Sequence, residues 1–137
     1  MPDSYLKGLE EISEIDPESG PAFVDELKKL SPDFAEYFVG FAFGKIHART
    51  VFEPKIKELI SIAILIPIGA GESHLRLRIQ GAFRAGCSKK EIIEVVIQSI
   101  IYVGFTKALV ALHLVKEVAD EEVAAQRLAG HGSPQKG

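Results

Sequence analysis

The chain has 137 residues, enough for one domain with its own core, and is 47% hydrophobic and 26% charged, which excludes a disordered or fibrous class. A net charge of −3 leaves no basic footprint for nucleic acid or for an anionic membrane surface. The single cysteine, Cys87, excludes an intrachain disulfide and suits a reducing compartment, so a cytoplasmic protein is expected.

The acidic N-terminus, MPDSYLKGLEEISEIDPE, lacks the apolar core of a signal peptide. Residues 3–15 place Leu6, Leu9, Ile12 and Ile15 at helical spacing, and Asp16 to Pro21 reads as a turn. A second helix follows with Phe23, Val24, Leu27 and Leu30. Ser31-Pro32 starts a third, serine as N-cap and proline at the first position. On that helix Phe34, Tyr37, Phe38 and Phe41 fall on one stripe, expected to be a core or subunit-contact face, with a pocket wall as the sharper alternative. His47 and Arg49 lie just beyond it, ahead of Pro54.

The run KIKELISIAILIPIGAG is apolar almost all round. Its β-branched density would allow a buried strand, but every neighbour reads helical and no partner strand exists, so a helix is expected. It is also shorter than the roughly 20 residues that span a membrane. Gly69-Ala70-Gly71 makes a turn. A helix over 72–85 follows, ended by Gly86 in the left-handed region. Ser88-Lys89-Lys90-Glu91 is a capping box for another apolar helix that ends at Gly104. The last helix starts near Thr106, with Ala108, Leu112, Val115 and Ala119 on one stripe, and the tail GHGSPQKG is expected to be disordered. Two successive helices without a polar face predict a homo-oligomer.

Among polar residues, His74 and Arg78 stand one turn apart on a face that continues with Gly81, Ala82 and Ala85. They read as a carboxylate fork with a proton donor, or as two surface side chains. Glu58, on an apolar helix, is a half-buried acid for proton transfer or a first-turn acid favoured by the helix dipole. Gln98 and Tyr102 share a face, and Tyr102 could turn its hydroxyl to a pocket. Cys87 reads as a small hydrophobe before the capping serine. His47, His74 and His113 show no HxxxH or ExxH spacing, so neither a metal nor another cofactor is expected.

The string KELISIA, a turn, GAFRAGCSKKEIIEVVIQ and then YVGFTKALVALHLVKEV resembles the carboxymuconolactone decarboxylase family over roughly residues 20–119. The resemblance implies an all-α, alkylhydroperoxidase D-like bundle of six to seven helices in one domain (1–119), with 120–137 as a helical extension and tail. Trimers or hexamers are implied, with pockets between helices and subunits. The peroxidase branch carries Cys-x-x-Cys-x-x-x-His. Counting back from Gly86 puts those cysteines at Gly71 and His74 and the family histidine at Arg78, while Glu58 matches the family glutamate. Without either thiol, dithiol peroxide reduction is excluded, and Cys87 lies at the wrong end of the helix. The decarboxylase branch implies a small anionic organic acid or lactone as substrate. Arg78 would bind its carboxylate, with Gln98 and Tyr102 as further binding residues. His74 would replace the family histidine as proton donor, and Glu58 would assist. A non-catalytic oligomeric scaffold is the alternative, and a one-cysteine peroxidase at Cys87 a remote one.

Overall fold

Seven helical segments carry the chain in a computed structural model that describes residues 2–69 and 71–131. They are α1 (Pro2–Ile15), α2 (Ser19–Leu30), α3 (Pro32–Glu36) running straight into a π-helical segment (Tyr37–His47), α4 (Pro54–Ile68), α5 (Glu72–Arg84) and α6 (Lys89–His131). No strand occurs among the described residues, so the all-α expectation holds, including the helical reading of the β-branched run in α4. The expected tail at 132–137 lies outside the described residues, while Gly130 and His131 still belong to α6.

The caps form where the sequence places them. Ser31 Oγ accepts the Phe34 N–H at 3.2 Å. In the capping box, Ser88 N–H donates to Glu91 Oε1 at 2.8 Å and Glu91 N–H to Ser88 Oγ at 3.0 Å. Gly86 ends α5 at φ 100°, and Gly104 breaks α6 at φ 78° and ψ 176°, so the single long helix is two arms, 89–103 and 105–131. The turn before α2 is tighter than expected. Asp16 Oδ1 accepts the N–H groups of Glu18 and Ser19, and the helix already begins at Ser19.

The aromatic helix departs most from expectation. Phe34, Tyr37 and Phe41 are exposed, and the buried row is instead Ala35, Val39, Gly40 and Phe43. Residues 35, 39 and 43 step by four along one face, and the segment is π-wound from Tyr37 onward. A tight backbone approach holds α1 against it: a Cβ at Gly8 would overlap the Val39 carbonyl oxygen, and one at Gly44 the Ser4 carbonyl oxygen.

Two cores result. Ile62, Ile79, Ile92, Val96, Leu114 and Val118 belong to one, formed by α4, α5 and both arms of α6. Ile12, Ile15, Val24, Val39 and Phe43 form the other, between α1, α2 and the π segment. Each fully buried aliphatic of this kind stabilises by about 1.5–3 kcal/mol. Helix α6 contains a window long and apolar enough to cross a membrane by length and composition alone. Its Ala108, Ala111, Leu114, Val115 and Val118 are nevertheless buried in the first core. The opposite face of α6 stays uncovered at Ile97, Ile101 and Phe105, as does Ile60, Ile64 and Ile68 along α4.

Candidate functional site

The seam between the two cores is charged. Glu58, one turn into α4, is 2% exposed although it is a carboxylate. Such burial requires hydrogen-bonding partners, because an isolated carboxylate in an apolar interior costs many kcal/mol. Arg78 on α5 supplies one: its Nη1 donates to both Glu58 oxygens at 3.3 and 3.4 Å. His47, the last residue of the π segment, supplies the other, with Nε2 3.2 Å from Glu58 Oε2. The second ring nitrogen of His47, Nδ1, lies 2.9 Å from Glu11 Oε1 on α1. Four elements are thereby tied in one row: Glu11, His47, Glu58, Arg78.

Neighbouring residues fix this row. Phe43 packs against both partners, its ring centroid 5.1 Å from the Arg78 guanidinium carbon and 5.4 Å from the His47 ring. Lys57 Nζ donates to the carbonyls of His47 and Arg49 at 2.6 and 2.9 Å, so the end of the π segment is pinned to α4. Gly81 makes room for the carboxylate, since a Cβ there would stand 2.9 Å from an Ile15 methyl and 3.1 Å from Glu58 Oε1. A cavity of about 480 Å³ opens beside the row, lined among others by Lys7, Glu11, His47, Lys57, Glu58 and Arg84.

A second cavity, of about 680 Å³, lies beyond Phe43 and is walled by Phe23, Phe34, Phe38, Phe43, Ile12 and Leu77. His74 lines this cavity and not the one at Glu58. Its ring reaches solvent but sits in a crowded mouth, and burial, then the nearby Arg78 charge, hold its pKa below the ordinary value of 6.5. The pairing of Arg78 with Glu58 unites two of the residues singled out in the sequence; His74 is not hydrogen-bonded to them. Gln98 bonds Glu94 at 2.8 Å, and Tyr102 is 82% exposed; neither lines either cavity. Cys87 is buried with its Sγ 3.6 Å from the Lys55 carbonyl, and desolvation pushes its thiol up to about 11. No group of three or more histidine, cysteine or acidic residues able to hold a metal ion occurs among the described residues. In the row itself the two nitrogens of His47 point at different carboxylates, so its donors diverge.

Sequence weighs His47 only as a metal ligand and does not single out Glu11. Glu11 is one acid in an acidic helix, and His47 is legible only as a titratable residue closing an otherwise apolar segment, FVGFAFGKIH.

The model of the carboxymuconolactone decarboxylase family matches residues 32–117, which run from α3 through α5 and well into α6. Among curated proteins, the chain is 28% identical over 115 residues to the 4-carboxymuconolactone decarboxylase of Acinetobacter baylyi, covering 83% of this chain and 85% of that protein. It is 27% identical over 131 residues to an uncharacterized 15.0 kDa protein from the nqo9–nqo10 intergenic region of Paracoccus denitrificans, covering 89% and 98%. With the family model spanning more than half of its length, this chain belongs to the carboxymuconolactone decarboxylase family.

Proposed function

We propose that the protein acts as a carboxymuconolactone decarboxylase-like enzyme on a small anionic organic acid or lactone, with Glu58 as the group that manages the proton. The observation that carries this reading is a carboxylate 2% exposed, lining a cavity and contacted by both an arginine and a histidine. Decarboxylation breaks the bond between a ring carbon and its carboxylate. The electron pair passes into the conjugated lactone carbonyl as an enolate, carbon dioxide leaves, and the enolate takes up one proton at carbon. Glu58 is the acid poised at the cavity to supply it. Arg78 holds and orients Glu58, and this replaces the carboxylate-binding role read for it from sequence. Lys7 and Arg84 at the cavity wall are the cations available to a substrate carboxylate. His74 faces the other cavity, so the proton-donor role passes from it to the row at Glu58.

The test is carbon dioxide release from 4-carboxymuconolactone, chosen because a relative bears that name. In heavy water, one deuterium should appear on a ring carbon of the product. Glu58→Gln should lower kcat by about 10²–10⁴-fold. Unchanged turnover in that variant sinks the assignment. A second reading, a non-catalytic oligomeric binding protein, is favoured by one feature: Arg78 spends its guanidinium on Glu58. It predicts ligand binding without carbon dioxide release. For either reading we propose a cytoplasmic homo-oligomer, supported by the uncovered apolar rows of α4 and α6.

A further inference from the structure

We propose that Glu11, His47 and Glu58 form a proton relay that recharges the buried carboxylate, with His47 as the carrier. The proposal rests on the reading of Glu58 as the proton-managing group. An imidazole can accept a proton at one nitrogen and release another from the second, and both nitrogens of His47 are already within hydrogen-bond distance of a carboxylate. The two carboxylates differ in access: the Glu58 side chain is 3% exposed and that of Glu11 is 12% exposed. The row therefore leads from the wetter edge of α1 to the dry oxygen on α4.

The proton balance closes. Glu58 gives its proton to the enolate left by loss of carbon dioxide. His47, carrying its proton on Nε2, gives it to Glu58 Oε2 as Nδ1 takes one from Glu11, which takes one from solvent. One solvent proton reaches the product, and exchange of the ring proton with solvent returns His47 to its first tautomer. Glu11 also acts as a positioning residue, because its oxygen fixes the ring. The surrounding charges sit one step further out. Lys7 lies 3.5 Å from Glu10 and 3.8 Å from Glu11, Lys57 holds the His47 carbonyl, and Arg78 holds Glu58. Glu14, Glu53 and Arg84 line the same cavity.

The resemblance places the family histidine position at Arg78, and the π segment brings a histidine to the same carboxylate from another element. That is why the relay is a property of this chain's own residues.

The experiment compares His47→Gln, His47→Ala, Glu11→Gln and Glu58→Gln, each checked for helicity by circular dichroism. Glutamine can hydrogen-bond on both sides but cannot pass a proton. His47→Gln should lose about 10²–10⁴-fold in kcat on 4-carboxymuconolactone, with KM little changed. Added imidazole should restore part of the activity of His47→Ala, which a purely structural role would not allow. Glu11→Gln should also lower kcat with KM little changed, because an amide cannot pass a proton from solvent to Nδ1. Proton NMR should show a hydrogen-bonded ring N–H resonance that vanishes in His47→Gln and responds to both Glu11→Gln and Glu58→Gln. If Glu58→Gln is inactive while His47→Gln turns over normally, the relay is wrong and the reading of Glu58 stands. If the wild type does not act on this lactone, that reading fails for this substrate, and the NMR signal decides the relay: a resonance indifferent to Glu11→Gln overturns it.

Discussion

Burial at single positions separates the reactive side chains of this protein from the inert ones. Cys87 is a thiol in an apolar setting, raised from its ordinary 9.0 to about 11 by desolvation, with Glu91 adding to the effect. A thiol is the nucleophile only as thiolate. At pH 8, alkylation of the folded protein by iodoacetamide should be far slower than that of the same cysteine in urea, with the folded rate rising only as pH approaches about 11. Because the folded state holds this proton more tightly than the unfolded chain, the associated stability is complete below pH 9.0 and fades as pH climbs towards 11. Sulfenic acid at Cys87 under mild peroxide at pH 7 would contradict this account and revive a thiol peroxidase. Glu58 is the opposite case, a buried group kept polar by direct contacts with Arg78 and His47.

Among the elements, those whose boundaries depend on local chemistry were legible in the sequence. Ser31 and the Ser88–Glu91 box cap their helices as the spacing implies, and the glycines at 86 and 104 adopt the positive φ that suits them. Gly104→Ala should cost about 1–3 kcal/mol in urea unfolding, because φ 78° with ψ 176° is a region open essentially to glycine alone. A cost near zero would mean that the two arms of α6 can join as one straight helix. What the sequence hid was winding. Phe34, Tyr37 and Phe41 share a stripe that reads as a core or subunit-contact face, but the row buried within the chain is Ala35, Val39 and Phe43, in a segment whose hydrogen-bond register leaves no mark in composition. The candidate site was half legible for the same reason. Glu58 and Arg78 lie on ordinary helices and meet, whereas the contact of His47 with Glu58 needs the π segment and the pinning by Lys57.

Across the whole molecule, two apolar cores meet along a charged seam, and a further apolar surface remains without a partner. The first core belongs to α4–α6 and the second to α1, α2 and the π segment, while Glu11, His47, Glu58 and Arg78 cross from one to the other. The uncovered rows include Ile64 and Ile68 on α4, with Ile101 and Phe105 on either side of the Gly104 break. Apolar surface of that extent on a small protein is an association surface in the proposed homo-oligomer. Ile101→Glu with Phe105→Glu should reduce the sedimenting mass to that of a 14.9 kDa monomer while helicity persists. A wild-type protein that already sediments as a monomer at micromolar concentration refutes the homo-oligomer.

The π winding of Tyr37–His47 also makes the reactive row depend on a count of residues more than on their kind. Loss of one residue within that segment would let it rewind as an α-helix, keeping its aromatic content and its packing against α1. His47 would then be rotated by about 100° about the helix axis, the angle of one residue in 3.6, and carried off Glu58. Insertions and deletions in this stretch can therefore disconnect the chemistry while sparing the scaffold, a form of divergence that substitution counts alone would not reveal.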